Sequence, residues 1–209
     1  MTQDTKLPTP SARDRILETA QRLFYRHGIR AVGVDRIIAE SGVAKMSFYR
    51  HFPSKKDLVI AFLERRHRFW MDWFTRRVRE LAENRASPGL GIIADALQEW
   101  FSEPEFRGCA FINTVAELSE DSSEEHRIAA DHKRELRDFI RTLIPEQPRF
   151  PADDAADLAV LVIDGAIVRA QMTGKAETAE EARALFKLLD AKLFGTPAYS
   201  MRHSSGHPS

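Results

Sequence analysis

The stretch GVAKMSFYRHFPSKKDL, residues 42–58, crowds Lys45, Met46, Ser47, Tyr49, Arg50, His51 and Lys55 into a segment too short to be a fold. Basic, polar and aromatic side chains at that density suit the grooves and phosphates of a nucleic acid. Met46 adds a flexible apolar side chain that could rest on a thymine methyl. A helical corner with solvated charges has much the same composition, so composition here leaves both readings open.

The elements that would position these residues are legible on either side. A short helix over Asp35–Ser41, a turn at Gly42 and a second short helix over Lys45–His51 form a helix-turn-helix pattern, in which the second helix enters the major groove. Val34, Ile37, Ile38, Val43 and Phe48 supply an apolar set to pin the pair on a preceding helix, and Gly42 suits a left-handed turn. That packing leaves Lys45, Met46, Ser47, Tyr49, Arg50 and His51 facing outward. The preceding helix is capped by Ser11 with Asp14 three residues on, carries Ile16, Leu17, Ala20, Leu23 and Phe24 as its stripe, and stops at Gly28. After Pro53, Ser54 caps a long amphipathic helix running through Leu81.

Charge is distributed to match. The 209 residues carry 31 Lys and Arg against 31 Asp and Glu, yet residues 1–56 hold 11 basic against 5 acidic, and the remainder is correspondingly acidic. The first quarter thus has the field that attracts a polyanion. A single cysteine, Cys109, excludes an intrachain disulfide framework. The opening MTQDTKLPTPSARDR has no apolar signal core, and no run approaches 18 apolar residues, so the expected setting is cytoplasmic with no membrane partner. Helical periodicity dominates. Beyond NRASPG at 84–89, helices are expected over roughly 90–102, 105–119, 122–144, 152–173 and 178–194, an all-α fold of about nine helices. Residues 1–10 and 195–209 read as disordered.

RDRILETAQRLFYRHG followed by GIRAVGVDRIIAESGVAKMSFYRHFPSKKDLVIAFL resembles the DNA-binding domain of TetR-family transcriptional regulators over about residues 13–63. The likeness rests on linked features in register: Phe24 to Gly28, Ile37, Gly42-Val43, Phe48-Tyr49, His51-Phe52, Ser54-Lys55 and Leu58. It implies a DNA-binding domain over 11–56 and a ligand-binding and dimerisation domain over 57–194, linked by the helix at 55–82. It also implies that Lys45, Ser47, Tyr49 and His51 face DNA, with Tyr49 and His51 on phosphate and Lys45 and Ser47 reading bases. Lys55, at the positive end of the fourth helix, would meet a phosphate. Three positions depart from the family pattern. Val32-Gly33 stands where Thr or Ser is usual, Ala44 replaces the Ser that caps the third helix, and Met46 replaces a Gly. Losing the cap hydroxyl costs roughly 0.5 to 2 kcal/mol locally.

In the second half, Phe106, Asn113 and Glu117 fall on one face of the 105–119 helix. With Trp100, Phe101, Cys109, His132, Asp164, Val168 and Met172 they are the candidates for a small-molecule pocket, an apolar wall with a few polar groups. The same residues also fit an ordinary core. Cys109 reads either as a small buried side chain or as a thiol activated by Arg107 and a helix start. His126 and His132, six apart, lie on different helix faces, so no metal site and no cofactor is expected. There is no phosphate-binding glycine loop and no nucleophile–base pair, which argues against an enzyme. Leu158, Leu161 and Gly165 on one helix and Leu185, Leu188 and Leu189 on the last form an apolar stripe suited to a two-fold partner. The expected protein is a dimeric repressor that leaves a near-palindromic operator when a small molecule binds. The alternative is a helical binding protein whose basic module meets an anionic surface other than DNA.

Overall fold

The computed structural model describes residues 10–83, 89–118, 124–145 and 148–194, so the expectations for 1–9, 195–209 and most of the 84–89 boundary lie outside it. Within the described residues there are nine helices and no strand. In chain order they are α1 (Ala12–His27), α2 (Val34–Ser41), α3 (Lys45–His51), α4 (Lys55–Glu83), α5 (Ile92–Phe101), α6 (Ala110–Glu117), α7 (Glu124–Thr142), α8 (Ala152–Thr173) and α9 (Thr178–Phe194).

Local signals set the first four. Ser11 Oγ accepts the Asp14 N–H at 3.1 Å and starts α1, which Gly28 ends at φ 85°. Its predicted stripe, Ile16, Leu17, Ala20, Leu23 and Phe24, is buried throughout. Ser54 and Asp57 cap α4 reciprocally: the Asp57 N–H donates to Ser54 Oγ at 3.2 Å and the Ser54 N–H donates to Asp57 Oδ2 at 2.9 Å. α4 has 29 residues, which at 1.5 Å each makes a rod of about 44 Å. Its first turns pack on α1 and its later turns on α5 and α7, so one helix serves both halves of the molecule.

The remaining helices form a bundle in which α8 packs between α7 and α9, and α5 packs on α4 and α9. Ion pairs tie these helices at their edges. Arg77 on α4 makes a bidentate pair with Glu99 on α5 at 2.7 and 2.6 Å, and Arg183 on α9 reaches Asp95 on α5 at 2.8 Å. Arg137 on α7 reaches Asp153 and Asp157 on α8, each at 2.7 Å.

The structure departs from expectation at α6, which begins at Ala110 rather than near residue 105. Gly108 takes φ 81°, outside the helical range, and the Tyr25 hydroxyl holds the segment open. It accepts the Arg107 N–H and donates to the Gly108 carbonyl, both at 3.0 Å. A side chain 82 residues away thus competes successfully with helix propensity.

Candidate functional site

α1, α2 and α3 close around Leu23, Ile37, Phe48 and Phe52, all buried, with Leu58 and Phe62 of α4 completing the floor. Gly42 links α2 to α3 in the left-handed region at φ 64°, which a glycine enters without steric cost. Ala44 stands at the N-cap of α3 and gives no side-chain cap, as the sequence implies, and the helix is held instead by Phe48, whose ring stacks edge-on with Tyr49 at 5.3 Å.

Of the residues expected on the outer face, Lys45, Met46, Tyr49 and Arg50 are exposed, Met46 at 77%, whereas Ser47 and His51 are half-buried. Lys45 Nζ lies 3.3 Å from Asp35, a surface pair easily exchanged for another anion. Lys55 behaves differently. Its Nζ donates to the Ile29 carbonyl at 2.6 Å and sits over the Phe24 ring, and partial burial lowers its pKa. Its charge is therefore engaged on the α1–α2 turn rather than standing free in solvent.

The residues expected to line one pocket separate into three groups. Phe106, Asn113 and Glu117 line a cleft of about 560 Å³ bounded by α1, α4, α6 and the end of α8. Here Glu117 accepts the Arg30 N–H at 2.8 Å, joining the end of α6 to the α1–α2 turn. A Cβ at Gly28 would stand 2.8 Å from the same carboxylate, so only glycine leaves room for this approach. Trp100, Cys109 and His132 line a second, enclosed site with Arg66, Trp70 and Phe111, and Phe101 backs it through Trp100 at 5.9 Å. Asp164 pairs with Lys133 at its margin. Val168 and Met172 do not join either site. They lie on the outer side of α8, Met172 at 81% exposure, because α8 is apolar on opposite faces.

In the enclosed site His132 stacks on Phe111 with centroids 3.8 Å apart, and its Nδ1 is 3.1 Å from Nδ1 of His67, which in turn pairs with Glu135. Burial, followed by the charges of Lys133, His67 and Arg66, pushes the His132 pKa down to about 2. Cys109 is buried in the same wall. Sequence reasoning missed Arg66, which sits in the charged run ERRHR of α4. Yet Leu58, Phe62, Arg66, Trp70, Phe74 and Val78 recur every four residues and all are buried. An arginine falling within such a row is the signal that marks it as inward-facing.

α8 and α9 present the third feature, a groove of about 940 Å³ lined by Leu158, Leu161, Gly165, Leu185, Leu188 and Leu189. Leu161 and Leu188 are 67% and 65% exposed, a contiguous apolar surface of the kind that marks an interface.

A family model described as "Bacterial regulatory proteins, tetR family" matches residues 16–62, the segment that builds α1 to α3 and the start of α4. A crystal structure of a TetR-family transcriptional regulator from Streptomyces coelicolor is 30% identical, with 87% of this chain and 95% of that one superposing at a TM-score of 0.75. The chain belongs to the TetR family. The HTH-type transcriptional repressor KstR2 of Mycobacterium tuberculosis is 35% identical over 78 residues, 37% of either chain, so the chain matches little more than a third of that relative's length. The multidrug binding protein EbrR, solved with malachite green, shares the TetR-family fold at a TM-score of 0.69 over 87% of this chain and 98% of its own, at 20% identity. No helix among the described residues is long and apolar enough to cross a membrane.

Proposed function

We propose that this protein is a homodimeric transcriptional repressor that binds a near-palindromic operator through α3 of each subunit and releases it when a small molecule enters the second domain. The observation that carries the reading is α3 itself: a helix pinned from beneath by Phe48, turned by Gly42, and presenting Lys45, Met46, Tyr49 and Arg50 to the outside. A groove reader needs this arrangement, with cations for phosphates and a short row of side chains for base edges. Ser47 and His51 flank that row, and Lys55 would reach a phosphate only by leaving the Ile29 carbonyl. The apolar groove of α8 and α9 supplies the two-fold contact that sets two recognition helices roughly 34 to 36 Å apart.

Release requires the effector to bind the DNA-incompetent arrangement more tightly. Two contacts give it a route, namely Glu117 on the α1–α2 turn and Tyr25 on the segment before α6. A shift of α6 relative to α4 would act on α1 through both. Selection of duplexes from a random pool with the purified protein tests the reading. A two-fold symmetric motif, absent from the same selection with Tyr49→Ala, is expected; a folded dimer that enriches no motif would contradict it.

A further inference from the structure

The enclosed site lined by Trp70, Trp100, Phe111 and His132 combines an unpaired N–H donor with a buried cation. Its unfilled space is about 10 Å³, room for a single water. Trp70 is only 5% exposed, and its indole N–H has no hydrogen-bond partner. Buried polar groups are nearly always paired, so an orphan donor beside a void calls for an acceptor. Arg66 lines the same space at 9% exposure. Among the described residues its guanidinium forms no ion pair, resting over the Tyr25 ring at 4.2 Å. Lys133 stands at the margin, engaged with Asp164, and no carboxylate lines the void.

Each component selects a property of the occupant. Trp70 and Trp100 meet edge to face at 5.3 Å, while Phe111 and His132 stack nearly parallel, so the walls are flat and favour a planar ring. A buried cation without a counter-ion and a lone N–H, lining the same void, favour an anion that can accept from both. The neutral His132 imidazole offers no repulsion to a ring stacked against it.

We propose that the effector is an aromatic carboxylate whose ring enters between these aromatic walls and whose carboxylate accepts from Arg66 and the Trp70 N–H. This rests on the reading of the second domain as effector-binding. The void is far smaller than such a ring, so entry must part α4 from α6 and α7. It also draws the Arg66 guanidinium off Tyr25, the α1 side chain that holds Arg107 and Gly108. Binding is thereby joined to the segment that carries the recognition helix.

The test titrates the full-length protein with three probes of one shape, 2-naphthoate, 2-naphthamide and 2-naphthylmethylammonium, following tryptophan fluorescence and thermal shift. The carboxylate is expected to bind at least about tenfold tighter than the amide and to exclude the ammonium. Arg66→Gln should weaken 2-naphthoate by about tenfold or more while leaving the amide within about threefold, and Trp70→Phe, which removes the N–H but keeps an aromatic ring, should weaken the carboxylate severalfold more than it weakens the amide. Equal or tighter binding of the amide or ammonium, no binding of the carboxylate, or indifference to both substitutions overturns the proposal. Operator release measured with the same probes separates the two claims. Naphthoate that binds through Arg66 without affecting DNA leaves this site standing and defeats the effector reading; release by the neutral or cationic probe does the reverse.

Discussion

Arg50 and Met46 occupy neighbouring turns of α3, the proposed recognition helix, and should fail in different ways when changed. Arg50, exposed and cationic, suits a phosphate: Arg50→Ala should weaken binding to all duplexes alike and lower the slope of log K against log salt by about one, measured by anisotropy across a salt series. Met46→Gly should leave the slope alone and redistribute preference among bases, read out by repeating the duplex selection; an unchanged motif would remove the thymine-methyl contact. His132 makes a prediction of another kind. Its ordinary pKa of 6.5 falls to about 2 in the fold, so below about pH 6.5 the unfolded chain takes up a proton that the folded one refuses. Its contribution to stability is complete above that pH and is lost as the pH falls, by at most about 1.4 kcal/mol per unit. Urea titrations between about pH 6.5 and 5 should therefore show a flatter dependence in His132→Phe. Trp100, Cys109 and His132 stood among the expected pocket residues by type, and the structure brings them to one wall. Arg66 was not legible, because a charged residue inside a basic run looks solvated until its place in the four-residue apolar row of α4 is noticed.

At the scale of elements, α1 to α4 were legible almost to the residue, because caps and glycine stops are local chemistry that each segment carries with it. Gly42 is the sharpest case. With φ 64° and nothing within 4 Å of where a Cβ would stand, Gly42→Ala should cost about 1 to 2 kcal/mol from backbone conformation alone, seen as a lowered urea midpoint with an unchanged m-value. The start of α6 was not legible, since the Tyr25 hydroxyl that opens residues 107 and 108 comes from a distant part of the chain. The faces of α8 were not legible either. Ala155, Ala159, Ala166 and Ala170 are buried against its neighbours while Leu158, Leu161 and Met172 point outward, and a helix apolar on both sides does not declare which side is core. Glu117 belongs to this scale as a tie between elements. Glu117→Ala should reduce the effector-linked change in operator affinity by about fivefold or more, and Glu117→Gln, which keeps an acceptor for the Arg30 N–H, should retain most of it.

For the whole molecule, the proposed operator recognition requires two copies acting together. The exposed leucines of α8 and α9 are where the second copy is expected, and Leu161→Glu with Leu188→Glu should place carboxylates in the middle of that contact. Sedimentation should then report a monomer, with operator affinity falling by orders of magnitude while α1 to α3 remain folded. The most direct measurement is the affinity of the native protein for its selected duplex when base pairs are inserted between the two half-sites. About five inserted base pairs turn one half-site to the opposite side of the helix and should abolish cooperative binding, and scrambling either half-site should do the same. Affinity unchanged by the insertion, or a single half-site bound as tightly as the pair, would contradict a two-fold reader built from these recognition helices.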